Sequence, residues 1–180
     1  MRSAQACTPS PAPAWAVIAV KLWIASVGTR PRDAFDQLAS MYLDRIATLL
    51  PGAGQSSRAN KSHIEAPVFR TEDALWEAVE RERSRTAPFV LLLDERGRSM
   101  SSEAFAKWFG RERDQGRQLL IFAIGPGDGW SPDSRQRATE SLSLGPMTMA
   151  HELARVVLCE QIYRALTILA GHPYHREGSR

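Results

Sequence analysis

The sequence predicts an α/β fold in which a mostly parallel sheet is flanked by helices on both faces. Three observations carry this reading. Short apolar runs alternate with amphipathic stretches along the chain, the pattern of strand–helix–strand units. The later runs are uninterrupted instead of alternating with polar residues, as in strands buried on both sides. Helix-start signals (Asp33, Thr71, Ser101 or Ser102, Pro132) precede the amphipathic stretches. With 180 residues the chain can bury the core of one domain. Residues 19–180 are expected to form that domain and residues 1–18 an N-terminal extension.

Taken in order, "AVKLWIASVG" (19–28) is a short run rich in β-branched and aromatic residues and reads as the first strand, ending at Gly28. Pro31 and Asp33 open a helix that carries Phe35, Leu38, Ala39, Tyr42, Ile46 and Leu50 at three- and four-residue steps. "PGAGQSSRANKS" (51–62) is loop chemistry, and "HIEAPVF" (63–69) is a short extended piece. Thr71 caps a second helix with early acids followed by Leu75, Trp76 and Val79. "PFVLLLDERG" (88–97) predicts a buried strand that Asp-Glu-Arg-Gly brings to an end. "SSEAFAKWFGRERDQG" (101–116) is a third helix with Phe105, Trp108 and Phe109 inside. "RQLLIFAIGPGDGW" (117–130) is another buried strand running into a glycine-rich turn. Pro132 sits at a favoured first-turn position of a fourth helix. An uncharged loop, "SLSLGPMTMA" (141–150), and a long apolar helix close the domain. There is no internal repeat.

Composition narrows the function classes. Hydrophobic residues at 43% and charged residues at 24% are ordinary globular values. The net charge of +3 allows a polyanionic partner without demanding one. Between Asp94 and Arg117 six basic side chains face five acidic ones, so no basic block stands out there. Cys7 and Cys159 offer no disulfide framework, which suits a reducing, cytoplasmic location. The run "AWAVIAV" is only seven residues long before Lys21 interrupts it. It is preceded by "TPSPAP" instead of a basic segment, so neither a signal peptide nor a membrane span is expected. His63, His151, His172 and His175 show no zinc-type pairing beyond His172-x-x-His175, so no metal is expected.

In an open α/β sheet, ligands gather beyond the carboxyl ends of the strands. Three stretches converge there: Leu93–Gly97, Ile124–Gly129 and Leu142–Met149. "GPGDG" is either a tight turn or a place where backbone approaches a ligand, and its spacing does not match a dinucleotide fingerprint. The uncharged loop is the more informative stretch. Leu144, Met147 and Met149 could wall a flat ring, with Gly145 and Thr148 as polar contacts, or the loop could pack on its own core. In the last helix Glu160 and Arg164 stand one turn apart in the favourable order. Arg155 and Arg164 are alternatively available to a partner subunit or a phosphate backbone.

These stretches closely resemble one family. "LLLDERGRSMSSEAFA" (91–106), "FAIGPGDG" (122–129) and "LSLGPMTMAHELARVVLCEQIYRALTILAGHPYHRE" (142–177), with "KLWIASVG" as the opening strand, are similar to the RlmH family. These are bacterial 23S (large-subunit) rRNA pseudouridine-N3 methyltransferases of the SPOUT superfamily. The resemblance covers roughly residues 19–177. It implies S-adenosylmethionine as methyl donor and a trefoil knot in about 120–177. It also implies a homodimer joined through the final helix, acting on ribosomal RNA. Carried over by position, the cofactor contacts are Leu93, Gly125, Leu144, Gly145, Pro146, Met147, Thr148 and Met149. Tyr174, His175 and Arg176 of a partner's tail would complete the catalytic pocket, beside the polar candidates His151 and Tyr163. The chain departs from the family pattern at Pro126, where a second glycine is usual. It departs again at Gly145-Pro146, where Ser-Lys or similar is usual, and at Ala150, where proline precedes the histidine. Two further readings remain: a SPOUT methyltransferase for another RNA, and a ribosome-binding protein whose cofactor site the prolines have weakened.

Overall fold

The computed structural model describes residues 20–29, 33–50, 63–83 and 86–172. The N-terminal extension and the segment holding Tyr174, His175 and Arg176 lie outside these residues. Among the described residues the elements are β1 (Lys21–Val27), α1 (Ala34–Leu49), β2 (Ile64–Glu65), β3 (Val68–Phe69), α2 (Glu72–Arg81) and β4 (Phe89–Ser99). They continue as α3 (Ser102–Asp114), β5 (Leu119–Ile124), α4 (Pro132–Arg137), β6 (Glu140–Ser143) and α5 (His151–Leu169). The strands form one sheet in the order β2-β1-β5-β4-β6, and β3 also pairs with β1. Every pairing is parallel.

Parallel strands need crossovers, and the helices supply them on both faces. Period-two alternation inside the apolar runs splits the core in two. Leu22 and Ile24 of β1, Leu91 of β4, and Leu120, Phe122 and Ile124 of β5 face α1, α3 and α5. Trp23, Ala25 and Val27, with Val90, Leu92, Ile121 and Ala123, face α2 and Trp130. On the first side Phe89, Phe105, Trp108, Phe109 and Phe122 pack ring against ring at centroid separations of 5.6–6.4 Å. The helix starts fall where the capping chemistry predicts. Asp33, Thr71, Ser101 and Ser131 each accept a hydrogen bond from a backbone N–H of the first turn.

The structure corrects two sequence readings. The fourth strand does not stop at Asp-Glu-Arg-Gly; it runs on to Ser99. Leu142 of β6 is the partner of both Leu93 and Arg98, so residues 94–97 loop out and pairing resumes beyond them. The charged residues mark that outward loop and not a terminus. The uncharged segment is likewise not wholly a loop: Ser141, Leu142 and Ser143 belong to β6.

The last helix also resolves an open choice. Arg155 pairs with Asp36 of α1 at 2.8 Å, and Arg164 pairs with Glu160 at 2.6 Å. Cys159 of α5 is buried against the core and forms no disulfide among the described residues. No helix among the described residues is long and apolar enough to cross a membrane.

Candidate active site

The carboxyl ends of β4, β5 and β6 open onto a cleft of about 310 Å³. Leu93 comes from β4 just before its outward loop, Ile124 and Leu142 come from the ends of β5 and β6, and the Gly125–Gly129 turn, Leu144 and Met149 enclose the space. Of the residues carried over as cofactor contacts, Leu93, Gly125, Leu144, Gly145, Met147, Thr148 and Met149 all line it. Pro146 is exposed and lies off the cleft. Met147, 82% exposed, stands at its mouth.

Local chemistry shapes each wall. Gly145 has φ +147°, a backbone conformation that residues with a side chain rarely adopt. The Ser143 hydroxyl accepts from the Gly145 N–H at 3.2 Å and donates to its carbonyl at 3.0 Å, so the loop folds tightly straight out of β6. On the opposite wall Trp130 donates its indole N–H to the Leu93 carbonyl at 2.8 Å. Its ring lies so close to Gly125 that a Cβ there would sit 2.8 Å from the indole. Glycine at 125 is therefore required by close approach. The Pro126 carbonyl accepts from Gly129 N–H at 3.0 Å, which closes the turn. At the start of α5 the His151 ring donates through Nδ1 to the Gly125 carbonyl at 2.8 Å, since a carbonyl can only accept.

Charged side chains also line the cleft. The Asp94 carboxylate accepts from the Arg96 backbone N–H at 2.9 Å and pairs with Arg135 at 2.6 Å. Burial pushes this carboxyl upward, but those two donors outweigh it and hold it below the usual carboxylate range. Glu72 behaves in the same way. Burial raises its carboxyl, while the Ser131 and Ser134 hydroxyls and the Ser131 N–H lower it further. A depressed folded-state value contributes stability above the ordinary carboxylate range, lost as pH falls through that range and below. Denaturant unfolding followed from pH 7 down to pH 3 should show a falling midpoint, and Asp94→Asn should flatten that fall.

Trp130 and Arg135 were not picked out from the sequence, and Asp94 entered only as part of the Leu93–Gly97 stretch. The tryptophan directly after "GDG" was the one available signal. Among the described residues no group of three or more His, Cys, Asp or Glu could hold a metal ion.

A family profile described as "Predicted SPOUT methyltransferase" matches residues 20–175. The chain belongs to the SPOUT methyltransferase family. It is therefore a methyltransferase, and S-adenosylmethionine is the methyl donor of that family. The SPOUT chain is 44% identical over 156 residues to the ribosomal RNA large subunit methyltransferase H of Koribacter versatilis (strain Ellin345). That match spans 87% of this chain and 98% of the relative. The protein of the same name from Allorhizobium ampelinum is 43% identical over 163 residues, spanning 87% and 99%. A solved structure, a probable methylase family protein from Haemophilus influenzae Rd KW20, shares the fold at a TM-score of 0.50 with 11% identity. It covers 87% of this chain and 70% of that one.

Proposed function

We propose that this SPOUT protein methylates N3 of a pseudouridine in large-subunit (23S) ribosomal RNA; the relatives' names support the RNA, the cleft supports the cofactor, and the base and position follow from the resemblance set out above. The observation that carries the reading is the cleft lined by seven of the eight residues carried over as cofactor contacts. Its volume of about 310 Å³ falls within the span of ligand pockets. Its lining joins backbone and apolar side chains with the acidic Asp94, Glu95 and Asp128, the basic Arg96 and Arg135, and His151. Such a lining suits an adenosine joined to a cationic sulfur.

When bound, S-adenosylmethionine supplies a methyl group that is already electrophilic on its sulfonium. What remains for the protein is alignment and removal of the imide proton. Leu93, Gly125, Leu144, Gly145, Thr148 and Met149 would hold the nucleoside, Met147 would close over the mouth, and Pro146 would stiffen the loop from outside. Pro126 has no N–H to offer, so one backbone donor is missing from the wall.

A homodimer and the trefoil knot of about residues 120–177 belong to the same proposal. The dimer is supported by Phe35, Leu38 and Met41, which leave α1 exposed at three-residue steps, and by exposed Leu153 on α5. The knot is supported by the path of the chain: after β5 it crosses to the far side of β4 to lay down β6. In the dimer Tyr174, His175 and Arg176 of the partner's tail would position the RNA. The protein would act on the ribosome in the cytoplasm.

Ribosomal subunits lacking the modification, incubated with the chain and labelled S-adenosylmethionine, should take label on a large-subunit pseudouridine. Removing residues 174–180 should abolish the transfer. Label on another RNA would refute the substrate, and no cofactor binding by calorimetric titration would refute the enzyme reading.

A further inference from the structure

A second, much smaller chamber lies behind the cleft, and His151 lines both. The chamber measures about 10 Å³, and its wall includes Asp33 and Asp36 of α1 with Glu152 and Arg155 of α5. Arg155 is only 5% exposed; its Nη1 bonds Asp36, while Nη2 has no hydrogen-bond partner among the described residues. A space of that size admits one water, and Nη2 would supply it a donor. Toward the cleft, the His151 ring is fixed by its Nδ1–H bond to the Gly125 carbonyl. That bond selects the neutral tautomer in which Nε2 carries a lone pair. In free imidazole side chains the proton usually sits on the other nitrogen, so the protein holds the less common form.

We infer that His151 is the general base of the reaction and that the carboxylate-lined chamber beside it stabilises the imidazolium that forms. The inference rests on the function proposed above. The substrate imide loses its N3–H bond while the N3–CH3 bond forms. The proton passes to Nε2, and the electron pair of the breaking S–CH3 bond stays on sulfur. The imidazolium then gives its Nε2 proton to water entering the cleft as product leaves, while Asp33, Asp36 and Glu152 line the chamber beside it. Those carboxylates favour the transient cation, and the ion-paired Arg155 opposes them. On the cleft side stand Glu95, Arg96, Asp128 and the Asp94–Arg135 pair.

His151→Asn separates the two halves of the role. The asparagine amide can still donate to the Gly125 carbonyl, but nothing replaces Nε2. Nitrogen-15 spectra of the wild-type chain near neutral pH should show His151 protonated at Nδ1. Cofactor affinity of His151→Asn, read by calorimetry, should stay within about 3-fold of wild type, while methyl transfer at saturating cofactor falls about 100-fold or more. The wild-type rate should show a step down as the medium is acidified. That step should vanish in the variant. A ring protonated at Nε2, or a variant with the wild-type rate and profile, overturns the inference. Loss of cofactor affinity in the variant also overturns it, by reducing His151 to a brace for Gly125. Failure of the wild type itself to methylate ribosomal RNA would instead overturn the function on which it rests.

Discussion

Gly97→Ala is expected to destabilise the fold by on the order of 3 kcal/mol. A Cβ at this position would lie 2.6 Å from the backbone N and C of Leu142 and 2.7 Å from the backbone C of Ser141. These are main-chain atoms of β6, held by pairing to β4, so no side chain can swing aside to make room. The strand itself must shift, and Leu142 and Leu144 leave their places against the core and in the cleft. The urea midpoint should drop with little change in slope, and cofactor affinity should drop with it. Gly127→Ala is the control: its Cβ meets nothing within 4 Å. That variant should match wild type or gain a few tenths of a kcal/mol, because alanine restricts the unfolded chain more than glycine does. An unchanged midpoint for Gly97→Ala would show that β6 can move away freely.

Trp130→Ala should cost about 3–5 kcal/mol, the usual penalty for removing a buried aromatic side chain. The indole is 4% exposed, packs with the core on the α2 side, and covers Gly125. Its loss would also free the Leu93 carbonyl, so one wall of the cleft and one strand end loosen together. Trp130→Phe divides the effect. The ring surface is largely kept, the N–H bond to Leu93 disappears, and a loss of about 1–2 kcal/mol is expected. Calorimetric titration should show cofactor binding weakened more by alanine than by phenylalanine. Equal affinities in both variants would assign the wall to the turn backbone alone.

Much of this architecture was legible because its signals are local. Capping residues announced the helices at Asp33, Thr71 and Ser101, and unbroken apolar runs announced β4 and β5. The uncharged run Leu144 to Met149, read from the sequence as a possible wall for a flat ring, lines the cleft except at Pro146. Contacts across long sequence separations were not. His151 meets Gly125 across 26 residues, Trp130 meets Leu93 across 37, and Arg135 meets Asp94 across 41. Nothing in the periodicity of either partner encodes such a meeting. The same limit misled the reading of β4. Asp-Glu-Arg-Gly has the composition of a turn, and only the second pairing with β6 shows that the strand continues past it.

The outward loop at residues 94–97 has a further consequence for how this protein can change over time. Pairing is secured on either side of it, so exposed Glu95 and Arg96 can be exchanged without disturbing the register of the sheet. The loop's side chains can change by ordinary drift, one residue at a time, while the interior that makes folding possible stays untouched.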